Sequence, residues 1–450
     1  MKKRPHASAV ALICITLIAA LGLSGCATSS STNDTTSSNI SQSEINKAMN
    51  TPTTLTYWTW ETDMQGVVDL FEKKYPKIKV NIVVQTSAEE YTKLRTVLKA
   101  GKDVPDVSMI EYQYLPSFRL TNSLLNLEPY GAKSVEQKFV PAIWSQVAND
   151  QGVWGIPQDS GPMVNTYRED IYSRAGITEP QTTWADYARD AAKIKATTGS
   201  YITNLGGNDP GQLIGLFAQA GSRPFGFDGQ KHVTVALSNA ADIKVISYWQ
   251  QLIHEGLVST DTEGTSPWVE GVNNGTYAGF PAAAWLPGYI AVSAKGTVGK
   301  WRAATLPQWS ANQNVSANFG GSALTVMNTS QNKIAASQFV KFANTDPQAT
   351  AFADTNNYLF PTNLAILNSP EFTSAASPIF GGQHVNALFA AAAKTIPANF
   401  QWLPFMDFVY SSYTSTLGKA ITEKGDLVAG LKAWNAAVIQ YAQQQGFTVN

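Results

Sequence analysis

The chain has 450 residues, with 32 Lys plus Arg against 33 Asp plus Glu, and charged residues make up 14% of it. That share is well below the roughly 25% of ordinary globular domains, and no basic stripe or block of like charge stands out, which excludes nucleic acid and polyanions as partners. With 12 Trp in so weakly charged a chain, an uncharged polar ligand fits better than an ionic one, although aromatic side chains fill cores as readily as sites.

Lys2, Lys3 and Arg4 precede an apolar run from Ala9 to Leu23 that ends at Leu23-Ser24-Gly25-Cys26. A charged start, a short hydrophobic stretch and small residues make an export signal, too short for a spanning helix. The tetrapeptide resembles a bacterial lipobox, which implies cleavage before Cys26 and a diacylglycerol on its thiol. Residues 1–25 are therefore expected to be a lipoprotein signal peptide. Cys14 is lost with the signal and Cys26 is lipidated, so no disulfide remains and stability rests on core burial. Residues 26–54, rich in Ser, Thr and Asn, are expected to be a flexible tether. The body is long enough for two or more domains.

Leu55 to Trp60 reads as a strand, the run holding Val67, Val68, Leu70 and Phe71 as an amphipathic helix, Ile78 to Gln85 as a strand, Glu89 to Ala100 as a helix stopped by Gly101, and Asp106 to Ile110 as a third strand. This alternation predicts βαβ units and a mostly parallel sheet. Ligands of such sheets sit beyond the carboxyl ends of the strands. Trp60 and Glu61 after the first strand, and Glu111 and Tyr112 after the third, are accordingly candidate ligand residues.

From Asp150 to Gly176 the chain reads as a strand, a small polar break at Gln158 to Gly161, a second extended piece from Met163 to Tyr167, and a helix opened by Glu169. Such a segment suits a chain passing between two lobes. Thr183 and Asp186 suggest a capping box before a helix with Trp184, Ala188, Ala191 and Ile194 on one stripe. A turn at Gly206 to Gly211 precedes an apolar helix from Leu213 to Ala220; Asp242 to Glu255 reads as a helix closed by Gly256, and Thr276 to Phe280 as a strand. Trp285 then stands alone among small residues. Trp301 to Pro307 and Asn318 to Leu324 are extended, Gly320 and Gly321 permitting close backbone approach. Helices are expected over Lys333 to Ala343, Pro347 to Asn356 with Asp346 as cap, Asp407 to Glu423 and Leu427 to Gln445.

In order, these segments resemble the extracellular solute-binding proteins of bacterial ABC importers, the carbohydrate-binding family of which maltose-binding protein is a member. The resemblance covers nearly all of residues 52–450 and rests on Pro105-Asp106-Val107, Trp154-Gly155-Ile156-Pro157, Asp170-Ile171-Tyr172 with Ala175-Gly176, Thr183-Trp184, Leu306-Pro307, Gly320-Gly321-Ser322 and the loop Asn356 to Thr362. Asn165-Thr166-Tyr167 departs from the family's usual Tyr-Tyr-Asn, which leaves the identity of the sugar open. The resemblance implies an α/β, two-lobed periplasmic-binding-protein-like fold, each lobe a mostly parallel sheet flanked by helices, with the ligand cleft between. It implies a first lobe of residues 55–160 plus 324–372 and a second of 161–323 plus 373–450. It also adds Asp159, Ser160, Asn208, Asp209, Gly320, Gly321, Ser322, Tyr358 and Trp402 to the ligand residues, with Trp285 as the aromatic platform under a sugar and Trp184 structural.

His232, His254 and His384 are too far apart for a histidine metal site, and neither a G-x-S-x-G elbow nor a phosphate-binding G-x-x-x-x-G-K-[ST] loop is present. The expectation is a substrate-binding lipoprotein of an ABC sugar importer, with no catalytic residues, cofactor or metal. It would be a monomer on the extracytoplasmic face of the cell membrane, handing a mono- or oligosaccharide to a permease powered by a separate ATPase. An exported glycoside hydrolase using paired carboxylates is the alternative; the absence of an eightfold strand–helix pattern argues against it.

Overall fold

A computed structural model describes residues 39–357 and 359–450. Cys26, the signal segment, the first part of the expected tether and Tyr358 lie outside the described residues. The tether expectation is corrected at its end: Gln42–Met49 is a helix, because Ser41 accepts the Glu44 amide while the Glu44 carboxylate takes the Ser41 amide, a complete capping box, and Met49 is buried.

The strands, in chain order, are β1 (Thr53–Thr59), β2 (Ile78–Val84), β3 (Val107–Glu111), a small hairpin β4 (Ala148–Asn149) and β5 (Gly152–Val153), β6 (Ile156–Pro157), β7 (Met163–Arg168), β8 (Thr203–Asn204), β9 (Phe225–Phe227), β10 (His232–Val235), β11 (Val258–Ser259), β12 (Gly279–Ala283), β13 (Trp301–Ala304), β14 (Ser322–Val326) and β15 (Thr448–Val449). The first sheet has the order β2-β1-β3-β14-β6. β1 is parallel to β2 and β3, as alternating strands and helices require, whereas β14 is antiparallel to β3 and β6. The reason is the route of the chain: β6 leaves the sheet at its carboxyl edge and β14 returns through that same edge, so it must run backwards. The second region holds the sheet β12-β7-β13 and the pair β11-β8. The α/β class stands, but the parallel character does not extend to this sheet: β12 and β13 are both antiparallel to β7, and the parallel pairs of the region are β8 with β11 and β10 with β15.

Three segments join the two regions, and they are bonded to one another. Phe319 N–H donates to the Gly161 carbonyl at 2.8 Å, Gly161 N–H to Asn318 Oδ1 at 2.9 Å, and Ser160 N–H to the Phe360 carbonyl at 3.0 Å. A Cβ on Gly161 would lie 1.9 Å from the Phe319 carbonyl oxygen, so only glycine lets these segments lie side by side. Two buried apolar clusters flank them, one centred on Leu55, Phe71, Met109 and Phe339, the other on Ile171, Trp249, Leu431 and Trp434.

Some boundaries moved. The strand expected at Thr276 to Phe280 forms at Gly279–Ala283, because Tyr277 makes only an isolated bridge to Tyr201. The long helix expected from Asp407 to Glu423 is two, Met406–Ser415 and Leu417–Thr422, broken where Thr416 leaves helical geometry with ψ −99°. Among the described residues no helix is long and apolar enough to cross a membrane.

Candidate functional site: a carboxylate-lined cavity

The carboxyl ends of β1, β3 and β6 and the amino end of β14 meet at one edge of the first sheet. Trp60 and Glu61 follow β1, Glu111 ends β3, Asp159 follows β6, and Gly320 and Gly321 precede Ser322, which is paired with Glu111. Across from this edge, Asp209 follows β8, Glu263 follows β11 and Trp285 follows β12. Together with Gly288, Tyr289, Phe319 and Leu359 these residues line a cavity of about 430 Å³, within the usual span of small-molecule sites. Five carboxylic acids face it, and none of the lining residues is Lys, Arg or His.

Most of the acids are braced by the fold. Asp159 Oδ1 accepts the Ser322 amide at 2.9 Å and the Ser322 hydroxyl at 2.5 Å. Glu111 Oε2 accepts the Tyr91 hydroxyl at 3.1 Å, while the Glu111 amide donates back to that hydroxyl at 2.9 Å. Asp209 Oδ1 accepts the Gly211 amide, and Glu263 Oε1 accepts the Gly206 amide at 3.2 Å. Burial pushes Glu61 up to about 8, helped by the Asp159 charge. Burial likewise raises Glu111 to about 7, with Asp209 and Asp159 adding to the rise. Burial lifts Asp159 to about 6, Glu263 to about 7 with Asp209 contributing, and Asp209 above its ordinary value. Crowded acids away from bulk water cannot all ionise near neutral pH. The cavity therefore offers carboxyl groups that donate as well as accept, which suits hydroxyls, themselves both donors and acceptors.

Trp285 supplies the apolar face. It is the N-cap of the helix Leu286–Ser293, its indole N–H donates to the Phe319 carbonyl at 3.0 Å, and 37% of it is exposed. Gly320 and Gly321 have φ of 80° and 96°, a region side chains resist, and a Cβ on Gly320 would approach the indole nitrogen to 3.4 Å.

Thus Trp60, Glu61, Glu111, Asp159, Asp209, Trp285, Gly320, Gly321 and Ser322 are brought together. The structure places four other expected residues elsewhere. Tyr112 is buried beneath the wall, its hydroxyl donating to the Asp159 carbonyl at 2.8 Å. Ser160 is buried in the crossing. Asn208 braces the Glu263 turn, donating to the Glu263 carbonyl and accepting its amide. Trp402 donates to Gln146 Oε1 at 2.8 Å and lines a separate cleft of about 30 Å³ with Ile143, Ile214 and Phe400. Glu263, Gly288, Tyr289, Phe319 and Leu359 were not anticipated. Glu263 follows a parallel strand like Glu111 does, but β11 is two residues long and leaves no alternation to read; Tyr289 lies one helical turn from Trp285, the spacing that sets two side chains on one face. Among the described residues, no group of His, Cys, Asp and Glu side chains is arranged to hold a metal ion.

The sequence profile of the family described as bacterial extracellular solute-binding protein matches residues 58–350. The chain belongs to this family. An ABC transporter associated binding protein from B. animalis subsp. lactis Bl-04, solved in complex with beta-1,6-galactobiose, is 32% identical, aligns over 89% of this chain and 100% of its own, and superposes with a TM-score of 0.77. The galacto-N-biose/lacto-N-biose I-binding protein of Bifidobacterium longum shares the fold at 23% identity, over 88% of this chain and 98% of its own, with a TM-score of 0.77. An arabinooligosaccharide-binding protein of Bacillus subtilis (strain 168) is 27% identical over 303 residues, 65% of this chain and 69% of its own length.

Proposed function

We infer that this protein captures a neutral oligosaccharide between two lobes and delivers it to the membrane permease of an ABC importer. The observation that carries the reading is the cavity itself, with acids on both sides, no cation among its lining residues, and the partly exposed Trp285 ring beside them. Sugar hydroxyls would bond the acids, and the C–H face of a pyranose would stack on Trp285. Residues 55–160 with 324–372 form the first lobe and 161–323 with 373–450 the second, the three crossings serving as hinge. A lipid on Cys26 anchors the protein to the extracytoplasmic face, a separate ATPase powers the permease, and the protein acts as a monomer that leaves its ligand unaltered. The similarity to the galactobiose-bound protein makes β-1,6-linked galacto-oligosaccharides the first ligands to try, with arabino-oligosaccharides second.

A thermal-shift screen of the protein against neutral mono- and oligosaccharides tests this, since a ligand that binds only the folded state raises its melting temperature. At least one oligosaccharide should do so, while uronic-acid oligomers should not. Chromatography after long incubation should return the stabilising sugar intact; released products would move the assignment to a glycosidase. Cys26→Ala should release the protein from the membrane fraction with binding retained.

A further inference from the structure

The cavity has two unlike ends. Its wall along the first sheet runs from Gly320, which lies against Trp285, past Gly321 and Ser322 to Glu111. At the Trp285 end, both the indole hydrogen bond and the ring contact go to Phe319, in the neighbouring crossing, and the ring stands partly exposed. At the Glu111 end, two helices from opposite sides are fastened together. Tyr91 and Arg95 lie one turn apart on Ser87–Ala100; Asp407 and Tyr410 lie one turn apart on Met406–Ser415. Arg95 Nη2 donates to Asp407 Oδ2 at 2.5 Å, and the Tyr114 ring sits 4.6 Å from Tyr91 and 6.3 Å from Tyr410. Rings at that separation are in contact and leave no gap for a sugar between them. Tyr91 is the residue that holds Glu111 at the cavity edge.

We propose that Tyr410, held by Tyr114 and the Arg95–Asp407 pair, is an end wall to the cavity, so that the protein reads the terminal unit of an oligosaccharide while the rest of the chain leaves past Trp285. This rests on the oligosaccharide reading. The electrostatics agree: burial holds the Tyr410 phenol far above its ordinary range, and the charges of Asp209 and Glu111, which line the cavity from opposite sides, add to the rise, so the hydroxyl stays protonated. A wall built from both lobes exists only when they are together, which ties recognition of a chain end to closure. Tyr410 would then determine specificity by what it blocks as well as by what it touches.

The test is calorimetric titration of the whole protein with galacto- and arabino-oligosaccharides of two to four units. Each is used unmodified, with a benzyl group on the reducing end, or with a benzylidene acetal on the other end. One blocked form should bind about tenfold or more weakly than the unmodified chain and the other nearly as well, and Tyr410→Ala should recover most of the lost affinity for the blocked form. Asp407→Asn, which changes only a half-exposed ion pair, should recover part of it and keeps the comparison alive if Tyr410→Ala does not fold. Equal binding of both blocked forms by the unaltered protein overturns the end wall but leaves oligosaccharide capture standing. So does an end preference that neither variant changes. Failure of every unmodified chain to bind removes the oligosaccharide reading, and the end wall with it.

Discussion

Trp184 and Trp285 both stand at the start of a helix, yet they do different work. Trp184 is the first residue of Trp184–Thr198; it is 2% exposed, and its ring lies 5.3 to 5.9 Å from Tyr187, Tyr248, Trp249 and Trp309. Trp285 is 37% exposed and has a ring contact with Phe319 at 5.2 Å. The difference comes from what each faces. Trp184 lies against Tyr248 and Trp249 of the helix Ala240–His254, whereas Trp285 faces a crossing whose Gly320 and Gly321 carry no side chain to cover the ring. A tryptophan becomes available to a ligand where its neighbour in the fold is bare backbone.

Truncating the buried tryptophan should cost the most. Trp184→Ala should lower stability by about 3 to 5 kcal/mol, because it leaves a cavity inside the aromatic cluster. It also strips the buried Gln219 Oε1 of the indole N–H that it accepts at 3.0 Å. Urea unfolding measures the loss, and the protein that remains folded should bind its sugar normally. A loss under about 1 kcal/mol would mean that the cluster is not packed as described.

Trp285→Ala is the counterpart. Truncation should weaken sugar binding by about 2 kcal/mol, as for an aromatic anchor, and leave the unfolding of the unliganded protein within about 0.5 kcal/mol of the original. If stability falls and affinity holds, Trp285 belongs with Trp184 and the platform is wrong.

How much of this was legible in the sequence follows from how far each feature depends on local order. The strand-end rule found Trp60, Glu61 and Glu111 because β1 and β3 are five or more residues long and flanked by well-patterned helices. It failed for Glu263, carried by a two-residue strand, and for Phe319, whose place depends on the Gly161 contact 158 residues away in the chain (319 − 161). The resemblance made Trp402 a ligand residue, but Gln146 and Phe400 take it into another cleft. The antiparallel second sheet was illegible for a related reason: strand direction there is set by where the crossings enter, a long-range property that periodicity does not record.

The cavity acids make stability depend on pH. Glu61, Glu111, Asp159 and Glu263 have folded values above their unfolded ones, so the folded protein binds more protons and loses stability as pH rises through the window from about 4 to 8. The unliganded protein should be harder to unfold at pH 6 than at pH 8, and Glu111→Gln should remove a share of that difference on the order of 1 kcal/mol. Trp184→Ala should leave the share due to these four acids untouched, since none of them belongs to the aromatic cluster around Trp184. A stability that rises from pH 6 to pH 8 would show that the acids are not buried together.

Removal of a single oxygen, the Tyr289 hydroxyl, should change least. Tyr289 lines the cavity one turn beyond Trp285, and its hydroxyl is buried without a hydrogen-bond partner. A buried hydroxyl without a partner costs stability, whereas one that meets a ligand hydroxyl contributes about 1 kcal/mol to the complex. Tyr289→Phe should therefore leave the unliganded protein as stable as before or more so, by up to about 1 kcal/mol, and weaken sugar binding by a similar amount, roughly fivefold in affinity. The two changes have opposite signs, which no general loosening of the cavity can reproduce. Calorimetric titration beside urea unfolding of the one variant reads both. Unchanged affinity would assign Tyr289 to the wall alone and leave Trp285 as the sugar's only aromatic contact on that helix.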